Sequence, residues 1–197
     1  EGLFDISIGR LTALWDFGGE PAVPDASELA IALATVDYRN ISVDGDIVTM
    51  SDPEAWLDLG GIDKGYIADM LAAMLRAAGE VSAVIDLGGN VLTVGEKPDG
   101  NPWLIGVDQP FSDRSSIIGA ISIHEASVVS SGIYERYFTQ DGQIYHHILD
   151  PRNGYPADSE LLGVTILSQS SAMGDALSTI CLLMGMEQGS ALLDEGP

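Results

Sequence analysis

Positive charge is scarce in this chain. Eight lysines and arginines stand against 30 acids in 197 residues, a formal net charge of −22. That balance opposes binding to nucleic acid or to an anionic lipid surface. A polyanionic ligand would have to be met by a metal ion or by a few focused Lys or Arg contacts. Cysteine is almost absent: Cys181 stands alone in an apolar helical pattern, so no intramolecular disulfide can form and the thiol reads as a buried small hydrophobe. No uninterrupted apolar run approaches membrane-spanning length, and no signal peptide or internal repeat is visible. The abrupt opening at Glu1-Gly2-Leu3-Phe4 and the stop at Gly196-Pro197 read as a piece of something longer. What is present is a hydrophobic fraction of 46% and 23 glycines. These describe a turn-rich globular protein, long enough for one domain with a substantial core or one domain plus a small lobe.

Periodicity places the elements. Ile8, Leu11, Leu14 and Trp15 share a helical face that Gly18-Gly19 ends, and Asp25 with Glu28 resembles a capping box opening a helix through Leu29, Leu33 and Val36. Residues 41–48 form a strand–turn–strand signature around Asp44-Gly45. Ile67, Met70, Leu71, Met74, Leu75 and Ala78 line a further helix closed by Gly79. Short strands are expected at Ala83–Leu87, Val91–Val94, Trp103–Val107, Ile117–Ile123, Val128–Ser130, Tyr134–Phe138, Gln143–Leu149 and Val164–Leu167. A final helix runs from about Ala172 to Met184, with a second from Gln188. Strands in succession with helices at both ends predict an α+β fold with a mostly antiparallel sheet.

The densest chemistry lies at Asp58-Leu59-Gly60-Gly61-Ile62-Asp63-Lys64-Gly65-Tyr66-Ile67-Ala68-Asp69. Paired glycines let backbone approach a ligand, a helix start offers N–H groups to an anion, and Lys64 adds a mobile cation. This suits a phosphate-bearing cofactor; it equally suits a tight strand-to-helix turn. It is neither a P-loop nor a GxGxxG fingerprint. Asp86-Leu87-Gly88-Gly89-Asn90 repeats the strand-then-Gly-Gly device, and Ser130-Ser131-Gly132 precedes the cluster Tyr134, Arg136 and Tyr137. His146 and His147, at a strand end, point to opposite faces, so at most one readily faces a given pocket before the Asp150-Pro151 turn. Asp175 and Thr179 share a helix face and offer hard oxygen ligands suited to Mg²⁺. The spacing alone favours the plainer account, an Asp near a helix start with Thr179 bonding back to the backbone.

In this order the segments resemble the FAD:protein FMN transferase (ApbE) family. The likeness rests on Phe4-Asp5, Trp15-Asp16-Phe17-Gly18, Asp58 to Tyr66, Asp86 to Asn90, Ser130-Ser131-Gly132, His147 to Gly154, Val164-Thr165-Ile166 and Asp175 to Thr179. It implies a T-fold-like enzyme core over residues 1–197 that binds FAD and Mg²⁺ outside the cytoplasm. It would move FMN onto a Thr or Ser of an acceptor protein and release AMP. The acceptors it implies belong to membrane redox complexes of the Na⁺-pumping NADH:quinone oxidoreductase or Rnf type, and a missing N-terminal segment would carry any membrane anchor. Carried onto this chain, Leu3, Phe4, Asp5, Asp58, Lys64 and Leu149 would contact FAD. Gly61, Asp175 and Thr179 would hold Mg²⁺, and His147 would handle the acceptor hydroxyl's proton. Ile6-Ser7 stands where the family has Pro-Thr, and Asp63 where it has a small residue. The same pocket with water as acceptor would be an FAD pyrophosphatase; without catalysis it would be a flavin-binding module.

Overall fold

The structure is a computed structural model and describes residues 2–112 and 116–196. In chain order its elements are α1 (Gly9–Trp15), α2 (Ala26–Leu33), β1 (Ile41–Asp44), β2 (Ile47–Met50), α3 (Asp63–Ala77), β3 (Ser82–Asp86), β4 (Asn90–Gly95), β5 (Trp103–Asp108), β6 (Ile117–Ile123), β7 (Ser127–Gly132), β8 (Tyr137–Gln140), β9 (Gln143–His146), β10 (Gly163–Ser168) and α4 (Ser171–Glu195). Every strand pairing among them is antiparallel, so the α+β expectation holds. The chain forms two compact units, Glu1–Leu59 with Glu135–Ser159, and Gly60–Tyr134 with Glu160–Pro197.

The first unit is built on aromatic packing around α1. Leu11 and Trp15 are wholly buried with Leu29, Ala32 and Leu149, and Phe17, Phe138 and Tyr145 close over them. Trp15 stacks on Phe17 and donates its indole N–H to the Gly154 carbonyl at 2.8 Å, so the Asp-Pro turn is tied to α1. Gly154 is required there: its φ is 77°, and a Cβ would meet Leu11 and Leu29 at 3.2 Å. Asp25 caps α2 through the Ser27 N–H, but the helix stops at Leu33, short of Val36.

The second unit is a four-stranded sheet in the order β10-β7-β4-β3, with α3 packed on β3 and β4 and α4 on β7 and β10. Ala68 and Ala72 of α3 meet Ile85, Leu92 and Val94. Here the sequence reading is corrected. Of the expected stripe, Ile67, Met70, Leu71 and Met74 are 37–64% exposed, Leu75 packs on the core, and the small residues Ala68 and Ala72 provide the buried face. Close approach is the reason, because α3 meets α4 so tightly at Gly65 that bulky side chains are excluded from that side. The helix also begins at Asp63, earlier than the apolar pattern indicates, and the acceptor of its Gly65 N–H, Asp175, lies on α4.

α4 is two helical segments joined at Gly185, whose φ of 77° breaks the ladder, as the expected stop near Met184 anticipates. Taken whole, it is the one helix among the described residues long and apolar enough to cross a membrane. The expectation of no uninterrupted apolar run of that length stands, because Asp175, Ser178, Glu187 and Gln188 interrupt it. Leu177 and Cys181 pack with Ile166 as a core helix would, and burial pushes the Cys181 thiol up.

A Cβ at Gly65 would lie 2.4 Å from the Ser171 carbonyl oxygen and 2.6 Å from Ala172 Cα, both backbone atoms. Gly65→Ala is therefore expected to lower the unfolding free energy by about 3 kcal/mol, the upper end of ordinary overpacking penalties. A denaturant titration showing no loss would contradict this packing.

Candidate functional site

The sequence-selected residues fall into two sets, one in each unit. In the first unit, Asp5 is buried and its carboxylate is fully engaged. Oδ1 accepts from the Ser7 N–H at 2.9 Å and the Ser7 hydroxyl at 2.6 Å, and Oδ2 accepts from the Tyr38 N–H at 2.9 Å. Ser7 in turn accepts from the Asp37 N–H at 2.9 Å. Asp58 joins this group through its N–H, which donates to the Ile6 carbonyl at 2.8 Å. Leu3 and Phe4 are half-buried just before Asp5. A cleft of about 260 Å³ opens beside them, lined by Gly2, Asp5, Val36, Tyr38, Arg39 and Pro151. Nothing in the periodicity marks Val36 to Arg39 as a cleft wall; the Asp5–Tyr38 hydrogen bond brings that wall in from more than 30 residues away.

The two histidines do face different surroundings. His146 is buried, with Nε2 3.2 Å from the Ala157 carbonyl, and burial holds its pKa below the ordinary 6.5. His147 is half-buried, and its Nδ1 lies 3.2 Å from the Arg136 carbonyl, which also accepts the His147 main-chain N–H at 3.1 Å. A carbonyl can only accept, so it selects the Nδ1–H tautomer and leaves Nε2 as the basic nitrogen. Leu149 is 4% exposed within the first core, so its main chain is the part that can meet a ligand. Asp150 is held by Arg152 at 2.6 Å, and despite its burial that guanidinium and the Arg152 N–H keep its carboxyl below the usual range.

In the second unit, Asp175 is 3% exposed and its Oδ2 accepts from the Gly65 N–H at 2.8 Å. Burial pushes its pKa up, offset partly by that N–H and by the Lys64 charge and reinforced by Asp63. Asp63 itself is exposed in the first turn of α3, where the helix dipole favours an anion. Lys64 Nζ lies 3.4 Å from the Gly88 carbonyl, in a loop where Gly88 and Gly89 hold φ of 71° and 83°. Thr179 does not bond back to its own helix. Ser178 does so, to the Asp175 carbonyl at 2.8 Å, and Ser131 contacts the Ser178 hydroxyl at 2.6 Å and the Thr179 hydroxyl at 3.4 Å. Gly61 lies in the turn before α3, four residues ahead of Gly65.

The described residues contain no group of three His, Cys, Asp or Glu able to hold a metal. The donors on this part of α4 are the buried Asp175 carboxylate, whose Oδ2 accepts from the Gly65 N–H, and the Ser178 and Thr179 hydroxyls. That set fits Mg²⁺, which binds through one or two carboxylates and keeps waters or phosphates in its shell. It does not fit zinc, which takes His and Cys donors.

The model of the ApbE family matches residues 1–197. A FAD:protein FMN transferase of Klebsiella pneumoniae is 44% identical over 98% of this chain and 60% of its own length. The crystal structure of the ApbE protein of Thermotoga maritima superposes with a TM-score of 0.88 at 38% identity, covering 98% of this chain and 64% of that one. Flavin transferase ApbE from Vibrio cholerae gives 0.87 at 32% identity, covering 99% and 63%. The chain thus spans about 60% of the length of the curated relatives it matches.

Because its folded pKa lies below 6.5, His146 contributes stability that is complete above that pH and is lost as pH falls through the folded value. The unfolding midpoint should therefore drop on acidification from about pH 7 to about pH 5, and His146→Gln should flatten that slope. An unchanged slope in the variant would contradict this assignment.

Proposed function

Since this chain belongs to the ApbE family, we propose that its 197 residues are the core of a Mg²⁺-dependent FAD:protein FMN transferase. The observation that carries the reading is the buried Asp175 carboxylate, raised in pKa by burial and lacking a full counter-charge in a protein poor in cations. A divalent cation would supply that charge. Asp175, Thr179 and the Gly61 carbonyl would hold it, and it would neutralise the pyrophosphate of FAD. Lys64 beside the Gly88-Gly89 loop supports the phosphates. Leu3, Phe4, Asp5, Asp58 and Leu149 line the flavin nucleotide, Asp5 and Leu149 through main chain because their side chains are engaged elsewhere.

The hydroxyl oxygen of an acceptor Thr or Ser bonds to the FMN phosphorus as the bond to the AMP oxygen breaks, and AMP leaves. The hydroxyl proton goes to Nε2 of His147, whose Nδ1–H is directed to the Arg136 carbonyl. We assign the acceptor to a membrane redox complex of the Na⁺-pumping NADH:quinone oxidoreductase or Rnf type, and the reaction to the extracytoplasmic side. Both assignments rest on the family likeness.

Incubating the protein with FAD, Mg²⁺ and an acceptor domain should add the mass of FMN to the acceptor and release AMP. Free FMN and AMP without adduct would make the protein a pyrophosphatase instead, and intact FAD would contradict both. His147→Ala should leave FAD affinity unchanged and slow transfer by about 10²–10⁴-fold, the scale of a proton-transfer group. Asp175→Ala should abolish Mg²⁺ binding and the transfer together; Mg²⁺ affinity surviving that change, measured by calorimetry, would remove Asp175 from the metal site.

A further inference from the structure

α3 and α4 cap each other. The Gly65 N–H, in the first turn of α3, donates to Asp175 of α4 at 2.8 Å. In the first turn of α4, the Ser171 and Ala172 N–H groups donate to Asp69 of α3 at 2.9 and 3.0 Å, and the Ser170 hydroxyl adds a third bond at 3.0 Å. The arrangement is symmetric in sequence. Asp69 follows Gly65 by four residues, and Asp175 follows Ser171 by four. Each carboxylate therefore stands one turn along its own helix and satisfies the first turn of the other.

We propose that Asp69 is a positioning residue for Asp175. It touches no reacting group; it acts by fixing the first turn of α4, from which Asp175 projects one turn later. With Asp69 in place, α4 is held where Asp175 Oδ2 meets the Gly65 N–H, and Oδ1 is left to face a cation. Ser171 is pinned from the other side as well, by the Asn90 side-chain carbonyl at 2.6 Å and Ser127 at 2.9 Å, all three residues having no exposed surface. The start of α4 is thus a rigid platform with Asp69 as its charged member. The metal part of the proposal rests on the transferase reading; the positioning of Asp175 does not.

The experiment compares wild type, Asp69→Ala and Ser170→Ala, with two readouts well below the unfolding temperature. Amide hydrogen exchange of Gly65 reports whether Asp175 still accepts its N–H, and Mn²⁺ affinity, measured by electron paramagnetic resonance without nucleotide, reports the metal site. Ser170→Ala removes the α4 N-cap bond to Met173 and one Asp69 bond but leaves both main-chain bonds to Asp69. It serves as the merely destabilising control. Asp69→Ala should accelerate Gly65 exchange at least tenfold and weaken Mn²⁺ by about 10–100-fold, the scale of losing a group that orients a metal ligand. Ser170→Ala should lower the melting temperature and leave both readouts unchanged. Unchanged Gly65 exchange and Mn²⁺ affinity in Asp69→Ala would overturn the proposal, as would equal losses in the control. A wild type that binds no Mn²⁺ while Asp69→Ala still exposes Gly65 would overturn the metal reading and uphold the positioning of Asp175.

Discussion

Two helix starts meet at Gly65 and Ser171, and each carries the partial positive charge of unsatisfied N–H groups. Brought together bare, they would repel and leave buried donors without partners. Asp69 and Asp175 remove both problems at once, each reaching across to the other helix. The approach is possible only because residue 65 has no side chain. From this contact follow the inward-facing alanines of α3, the tilt of bulky residues to its outer face, and the burial of a carboxylate that a core would otherwise exclude.

That buried carboxylate connects stability to chemistry. Asp175 is destabilised in its charged form by burial, and the N–H of Gly65 and the charge of Lys64 compensate only in part. A chain with eight basic residues cannot supply much more. In the proposed transferase a divalent ion would complete the balance, and binding of the ion and of a pyrophosphate would then favour each other. In the first unit the logic differs. Asp5 and Asp150 are buried carboxylates whose partners are all internal, Ser7 and Tyr38 for one and Arg152 for the other. Those two carboxylates build loops; Asp175 keeps one oxygen open.

Element type was largely legible from residue patterns, because strands such as Ile117–Ile123 and the hairpin at 41–50 have local signals. The break near Met184 was legible for the same reason, a glycine at the right place. What the pattern misread was the buried face of α3. Hydrophobicity nominates Ile67, Met70 and Met74, but distance of approach, set by a glycine and by α4 a hundred residues later, nominates Ala68 and Ala72. The site followed the same division. The roles proposed for Asp175, Thr179 and His147 come from the family likeness; spacing alone pointed to Thr179 bonding back, a role Ser178 takes instead. Tyr38 and Arg39 carried no local signal, and the segments holding Asp69 and Ser131 stood out without revealing their partners, which lie far along the chain.

The most direct test of this account is a Mg²⁺ titration of the protein followed on the main-chain amide resonance of Gly65, whose proton reports on the Asp175 carboxylate. A saturable shift of that resonance, absent in Asp175→Asn, is the predicted result. A Gly65 resonance that does not move while Mg²⁺ binds elsewhere would contradict the placement of the metal at Asp175.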